Sequence, residues 1–386
     1  SGVASYMSMS ASAVYNYAAG SNSVQYGTVE NLRSRTHYTG FKGDELADYS
    51  HNFLSSGTVK DTTVYQYASN DILTRTTTYQ GGTADVKPST GTKKYQTDYI
   101  GYVRGEEVQD ITTSYGGDAA NGSTAITVYF YGASHIRASA AVMASTLAMT
   151  ASSIYDTTAG LSHTNDQYLD SAKTDLRSRT HYFGYKGEEL TSYSQSFMKD
   201  QSGAFGTVRD TTVYNYKTAT KDVLDYTTTY KGGTENVKPS SGTMKNRTYY
   251  YGTVRGEELT NYSWNYSGDA SSAISTTTVY FYGSDISIHN RATSSVIGAT
   301  QMTASATYNN DASGALTLYA TPTDLRSRTH YIGFKGDELA DYSQNFLKSS
   351  GLVMDTTVYT YNRDVLSFTY TYQGGEINER PSDGTK

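Results

Sequence analysis

The sequence predicts an all-β protein of tandem β-hairpin repeats, stacked into an elongated β-solenoid-like or filamentous array. Three observations lead there. The block Leu32-Arg33-Ser34-Arg35-Thr36-His37-Tyr38 returns at residues 176–182 and 325–331, 144 and 149 residues apart. Between these blocks run short Tyr- and Thr-rich segments that alternate with period two, as half-buried strands do. Glycine pairs and clusters punctuate the segments at regular intervals. The 386 residues divide into the end of a truncated repeat (1–31), full repeats over 32–175 and 176–324, each of two alternating half-units, and the start of a truncated repeat (325–386). Residues 381–386 match 88–93, mid-repeat, and Met9-Ser10-Ala11-Ser12 matches residues 149–152. The chain is therefore expected to be a window on a longer array.

The strands follow in order. Thr-Thr-Val-Tyr-x-Tyr occurs at 62–67, 211–216, 277–282 and 356–361, with a relative at 126–131. One face of these strands carries the pairs Tyr65/Tyr67, Tyr129/Tyr131, Tyr214/Tyr216, Tyr280/Tyr282 and Tyr359/Tyr361. The other face begins with Val each time and then reads Gln66, Phe130, Asn215, Phe281 and Thr360, so a polar half-unit alternates with an aromatic one. The turn Lys/Arg-Gly-Asp/Glu-Glu-Leu/Val recurs around Gly43, Gly105, Gly187, Gly256 and Gly336, each after a Tyr-x-Gly or its variant. Two glycines so placed predict a hairpin turn with a bulge, with a short helical turn as the alternative. The segments 9–15, 149–155 and 302–308 are expected to be strands. Ala140–Ala151 has the Ala content of a helix, but its Ser and Thr disfavour one. Segments 76–79 and 227–230 close on Gly81-Gly82 and Gly232-Gly233, and Lys87-Pro88 and Lys238-Pro239 then mark turns.

Composition narrows the function. Tyr is the outlier at 39 residues, and hydrophobic residues make up 37%, so the core is expected to be thin and largely aromatic. A net charge of −6 argues against nucleic acid as a partner. With no Cys there is neither a disulfide framework nor a thiolate site. No apolar run approaches the roughly 20 residues of a membrane span. No phosphate loop, nucleophile elbow or zinc helix is present. His37, His181 and His330 occupy one place in the repeat, which fits a structural neighbour of Tyr better than a unique catalytic base. No catalytic, cofactor-binding or metal-ligating residue is assigned. The carboxylates of the Gly-acid-Glu turns fall short of the 6–8 oxygens calcium takes. The basic residue before each turn, and the repeated Arg33/Arg35, Arg177/Arg179 and Arg326/Arg328, point to ion pairing between neighbouring strands. Sequons at Asn121, Asn246, Asn261 and Asn265 are what a Ser/Thr-rich chain carries by chance.

Two resemblances follow from these motifs. The order Tyr65-Gln66-Tyr67, Asp71-Ile72-Leu73, Thr76 resembles YD-repeat (Rhs-type) proteins, whose hairpins wind into a spiral sheet that can enclose a toxin. The Tyr-Asp dyad and Gly-Arg-Leu turn of that family are missing here. The motifs at 277–283 and 256–263 are similar to giant tyrosine-rich tandem-repeat proteins of bacterial surfaces and filaments, which implies a long extracellular or cell-surface fibre. The expectation is a structural protein, not an enzyme, whose partner is itself: further repeats or identical chains. The assembly residues are the ten tyrosines and five turn glycines named above. The alternatives are an adhesin-like stalk gripping glycans or a partner cell through exposed Tyr and Trp264, or an Rhs-type shell fragment.

Overall fold

A computed structural model describes residues 7–15, 32–54, 56–116, 122–140, 146–157, 169, 175–199, 205–268, 273–285, 287–293, 300–309, 324–333, 335–348, 350–362 and 365–381. Sequon Asn121 and part of Ala140–Ala151 lie outside them. The described elements are all strands. Contacts group the chain into two compact units, Ser1–Val208 and Arg209–Lys386.

The first unit holds β1 (Ala11–Tyr15), β2 (Leu32–Thr39), β3 (Leu46–Phe53), β4 (Val59–Tyr67), β5 (Leu73–Gln80), β6 (Lys93–Ile100), β7 (Val108–Tyr115), β8 (Ser123–Tyr131), β9 (Ile136–Arg137), β10 (Met149–Asp156), β11 (Leu176–Phe183) and β12 (Leu190–Lys199). The boundary falls in β13 (Phe205–Tyr216). The second unit continues with β14 (Leu224–Lys231), β15 (Met244–Tyr251), β16 (Leu259–Tyr266), β17 (Ile274–Gly283), β18 (Asn290–Arg291), β19 (Gln301–Asn309), β20 (Leu325–Ile332), β21 (Leu339–Phe346), β22 (Val353–Asn362) and β23 (Val365–Gln373). Each unit is an antiparallel meander of sequence neighbours, with β9 and β18 as short ribbons on β8 and β17. Among the described residues neither meander closes into a barrel: β1 pairs only with β2, and β23 only with β22. The segments read as strands at 9–15, 149–155 and 302–308 are β1, β10 and β19.

Within each unit the sheet has two faces to cover. One face is dry. In the first unit Ile111, Ile126, Val128, Phe130, Ala151, Tyr155 and Leu176 form its core. In the second unit Val279, Phe281, Ala304, Ala306, Tyr308 and Leu325 do the same. The core is thin, as expected, but aliphatic residues and buried Thr62, Thr211, Thr277 and Thr356 fill most of it. Phe130 and Phe281 are buried where Gln66, Asn215 and Thr360 are not.

The opposite face is covered by its own side chains. Threonine hydroxyls pair across strands at Thr63–Thr78 (2.9 Å), Thr97–Thr112 (2.8 Å), Thr212–Thr229 (2.8 Å), Thr278–Thr307 (3.0 Å) and Thr357–Thr371 (3.0 Å). Each such cross-strand pair contributes about 0.2–1 kcal/mol.

Straps, connections that fold back over the dry face, complete its cover. Four of the straps are clamped to a bulge. On β3, β7, β16 and β21 the ladder skips one residue, Asp48, Asp110, Asn261 or Asp341. Asp48 binds Lys87 and Asp341 binds Arg380, both from straps that begin at a Gly-Gly pair. Asp110 binds Arg137 and Asn261 binds Arg291, from straps between β8 and β10 and between β17 and β19. A bulge leaves its extra residue outside the ladder, which frees that side chain to meet the strap.

The Arg137–Asp110 pair is two-pronged (2.9 and 2.6 Å) and both side chains are 6% exposed. Removing one partner of such a pair strands a buried charge. Asp110→Ala is therefore expected to cost about 3–5 kcal/mol. Adding Arg137→Met should recover most of that loss. Urea titration with amide exchange at Ile111 measures both, and an additive double variant would show that the clamp does not act as a pair.

Candidate functional site

The most regular feature is the Gly-acid-Glu turn. Gly43, Gly105, Gly187, Gly256 and Gly336 all take φ between 79° and 89°, the left-handed region that favours glycine. The turn closes through Asp44 N–H to Phe41 O (2.9 Å), Glu106 N–H to Val103 O (3.1 Å), Glu188 N–H to Tyr185 O (2.9 Å) and Glu257 N–H to Val254 O (3.2 Å). It is a hairpin turn beside a bulge, and the helical alternative does not form.

The glutamate of each turn is a stitch. One carboxylate oxygen accepts from the turn glycine: Gly43 to Glu45 (2.8 Å), Gly105 to Glu107 (2.9 Å), Gly256 to Glu258 (2.9 Å), Gly336 to Glu338 (2.8 Å). The other accepts, at 2.9 Å, a backbone N–H from the preceding hairpin: Met9 to Glu45, Leu73 to Glu107, Met149 to Glu189, Leu224 to Glu258, Met302 to Glu338. Backbone donation, first from Met9, holds the Glu45 carboxyl below the usual carboxylate range. At two of the turns the basic residue ahead reaches the previous turn: Arg104 lies 3.6 Å from Asp44 and Lys186 3.9 Å from Glu106. These pairs are exposed and add little.

The tyrosine pairs have a division of labour. The first Tyr meets a side-chain hydroxyl on an adjacent strand, as Tyr65 with Ser50 (3.3 Å), Tyr129 with Thr112 (3.2 Å) and Tyr359 with Ser343 (3.2 Å). The second Tyr sits at a register shift and donates to the carbonyl just before a bulged residue: Tyr67 to Ala47 (3.0 Å), Tyr131 to Gln109 (2.6 Å), Tyr282 to Thr260 (2.8 Å). Tyr361 meets Ala340 in the same way. Tyr131 and Tyr282 are buried, whereas Tyr65, Tyr67, Tyr129, Tyr214, Tyr216, Tyr280, Tyr359 and Tyr361 are half-buried. Burial pushes the Tyr67 phenol up to about 12 and raises Tyr131 and Tyr282 further. The tyrosine face is thus a self-covered surface, and the driest core lies on the valine face. Trp264 offers no open platform, since it packs half-buried against Tyr249 (5.1 Å) and Tyr262 (5.4 Å).

The recurring histidine stacks on a tyrosine of the next strand: His37 on Tyr49 (4.3 Å), His181 on Tyr193 (4.4 Å), His330 on Tyr342 (4.3 Å). Beside it lies the second repeated Arg, buried as Arg35, Arg179 and Arg328. Their role departs from surface ion pairing. Asp85, at φ 61° in its strap, binds both Arg35 (2.9 Å) and His37 (3.0 Å), and Asn378 takes its place against Arg328. In the second unit His289 Nδ1 meets Thr303 Oγ1 (3.0 Å), and its ring meets His330 edge-on at 5.5 Å. Ser287, His289, His330, Asp341, Tyr342 and Asn378 bound a cleft of ≈ 240 Å³ there. Among the described residues no group of three or more His, Asp or Glu could hold a metal ion, and no helix is long and apolar enough to cross a membrane.

No protein-family model matches the chain, and no curated protein matches it. Among solved structures it is similar to a porin-like protein from Bacteroides uniformis, at 11% identity and TM-score 0.21 over 87% of this chain and 91% of that one. It is also similar to a TcdB2-TccC3 chain, at 12% identity and TM-score 0.15 over 89% of this chain and 21% of that one. A third likeness is to a Photorhabdus luminescens Tc holotoxin pore, at 11% identity and TM-score 0.12, again over 89% of this chain and 24% of that one. Scores this low carry no statement about fold or function.

The turn glycines and tyrosine pairs were legible as repeats, but their partners were not. The clamp residues were missed. Their signal is an Asp or Asn three places after the stitching Glu, at Asp48, Asp110, Asn261 and Asp341, matched by a basic residue before a Pro or in the strap ribbons. Glu258→Ala should cost about 2 kcal/mol through the loss of two charge-assisted bonds at a half-exposed site. Glu258→Gln should cost about half of that. Denaturant unfolding followed by Trp264 fluorescence, with exchange at the Leu224 amide, reads both, and an unchanged midpoint for Glu258→Ala would refute the stitch.

Burial lowers His289 to about 4 and His330 to about 3, and the charge of Arg328 adds to both shifts. In the unfolded chain both titrate near 6.5. The unfolded state therefore takes up protons that the folded state refuses as pH falls below about 6.5. Stability of the second unit should be level above that pH and decline from about 6.5 down to about 3, the His289 share ending near 4 and the His330 share near 3. His330→Phe keeps a ring on Tyr342 and removes one titrating group, so it should flatten the decline. An identical slope would remove His330 as a cause.

Proposed function

We propose that this chain is a structural, fibre-forming repeat protein of an extracellular filament or cell-surface coat. One observation carries the reading: the same contacts recur in every repeat. Turn stitch, threonine pair, tyrosine pair and strap clamp each join a hairpin to a near neighbour in sequence. Adding a repeat adds the same set again, so stability grows with length as in other arrays. Chemistry that recurs with each repeat serves cohesion. The most regular residues are the stitching Glu45, Glu107, Glu189, Glu258 and Glu338, and they bind backbone.

Electron microscopy of the native material, imaged without refolding, tests the proposal. Long filaments with a regular axial repeat are expected. Discrete hollow particles would overturn the fibre and favour a shell.

A further inference from the structure

We infer that Tyr249 and Tyr262 form an oxidative crosslinking site, at which a one-electron oxidant of the peroxidase class joins the two phenols into an intrachain dityrosine across β15 and β16. The inference goes beyond the structural-array reading and does not depend on it.

Strand pairing places the two rings. Tyr249 lies directly opposite Tyr262 in the β15–β16 ladder. Their ring centroids are 4.6 Å apart and their planes 21° from parallel. Tyr249 stands three places before Gly252, as His37, His181 and His330 stand before Gly40, Gly184 and Gly333. At those three places an imidazole stacks on Tyr49, Tyr193 or Tyr342. Of the four stacks, this one alone pairs two phenols. The neighbours hold the pair together. Trp264 packs edge-on against Tyr249 (5.1 Å) and tilted against Tyr262 (5.4 Å). Its indole N–H is buried with no hydrogen-bond partner, so packing alone fixes that ring. Tyr226, opposite Tyr249 on the other side, is farther off at 5.7 Å and tilted by 37°, and the Arg247 guanidinium lies 5.1 Å from its ring. Arg291 is 5.9 Å from the Tyr262 ring, farther than Tyr249. Tyr249 therefore has its nearer and better aligned partner in Tyr262. Both rings are half-buried, so part of each is open to electron transfer.

The chemistry balances. Each phenol gives up one electron and its hydroxyl proton and becomes a phenoxyl radical. The two radicals couple at one ortho carbon of each ring, forming one C–C bond. The hydrogen on each coupled carbon then moves to the oxygen, which restores both aromatic rings. Hydrogen peroxide takes up the two electrons and two protons and leaves as two waters. The chain loses two hydrogens in all. Holding the rings together replaces a chance encounter of two radicals with an intramolecular step.

The full chain, treated with hydrogen peroxide and a haem peroxidase, tests the site. The monomer is separated by size exclusion, because Tyr102 and Tyr185 are 70% and 83% exposed and can join separate chains. Trypsin cuts after Arg247, Arg255 and Arg291. Peptides 248–255 and 256–291 are expected to appear joined, two hydrogens lighter than their sum and with dityrosine fluorescence. Fragmentation should place the bond at Tyr249 and Tyr262. Tyr249→Phe keeps the ring and removes the phenol, so it should abolish the joined pair. Tyr249→His installs the residue that holds this place at 37, 181 and 330, and should do the same. Tyr250 lies near Tyr280, and these two fall in the same two peptides. Tyr250→Phe should leave the yield unchanged. Circular dichroism verifies that each variant folds. No joined pair in the monomer, a bond at other tyrosines, oxygen added to Trp264 without a bond, or an unchanged yield in Tyr249→Phe would overturn the site. The filament images judge the array reading separately.

Discussion

Among the described residues, each hairpin built on a Gly-acid-Glu turn is fastened by a carboxylate that accepts a backbone N–H from the hairpin before it, and Glu45, Glu107, Glu258 and Glu338 accept a second from their own turn. The rest of the structure depends on that constraint. The turn must present the glycine N–H inward, which requires a left-handed residue, and this is why Gly43, Gly105, Gly187, Gly256 and Gly336 recur. The chain must then enter the next strand one residue out of step, which produces the bulge. The bulge frees an Asp or Asn to clamp a strap, and just before it lies the carbonyl that the second tyrosine of the pair uses. Turn, bulge, clamp and tyrosine are consequences of one local geometry.

This geometry helps cover the faces of the sheet in each unit. Apolar burial is the main driving force of folding, and a single layer offers little of it. The dry face gains cover from straps, so it tolerates buried Arg35 and Arg328 where a strap supplies Asp85 or Asn378, and buried Arg179 donates to Ser153 Oγ and the Leu169 carbonyl. Gln344 shows how closely strap and sheet are matched: it donates to Glu376 O (2.7 Å) and accepts from the Asn378 N–H (2.9 Å). In the first repeat the same place holds His51, whose Nδ1 meets Thr62 while its Nε2 is buried with no partner. The hydroxyl face trades apolar area for many small cross-strand bonds.

Strands and turns were legible because both signals are local. Period-two alternation marks β4, β13, β17 and β22, and paired glycines mark the turns between them. Which face is driest was not legible, since tyrosine at every half-unit suggests a core. Tyrosine instead covers its own face because its hydroxyl has a partner two strands' width or less away, in Ser50, Thr112 or Ser343. The strap clamps were not legible either. Asp48 and Lys87 are 39 residues apart, and pairing them requires knowing that the intervening connection folds back.

The repeats share a backbone plan and vary the chemistry at each joint. Asp110–Arg137 becomes Asn261–Arg291, and Asp85 becomes Asn378. Arg75–Asp98 becomes Tyr226–Tyr249. Identical joints would let any hairpin dock on any other, and a slip by one half-unit would cost nothing. Distinct joints make the wrong neighbour an unpaired charge or an unstacked ring, so register carries an energy. An array of near-copies needs that discrimination more than a globular domain does, because its alternatives are nearly isoenergetic. The stitching glutamate holds each hairpin to its neighbour, and the varied residues opposite it decide which neighbour that is.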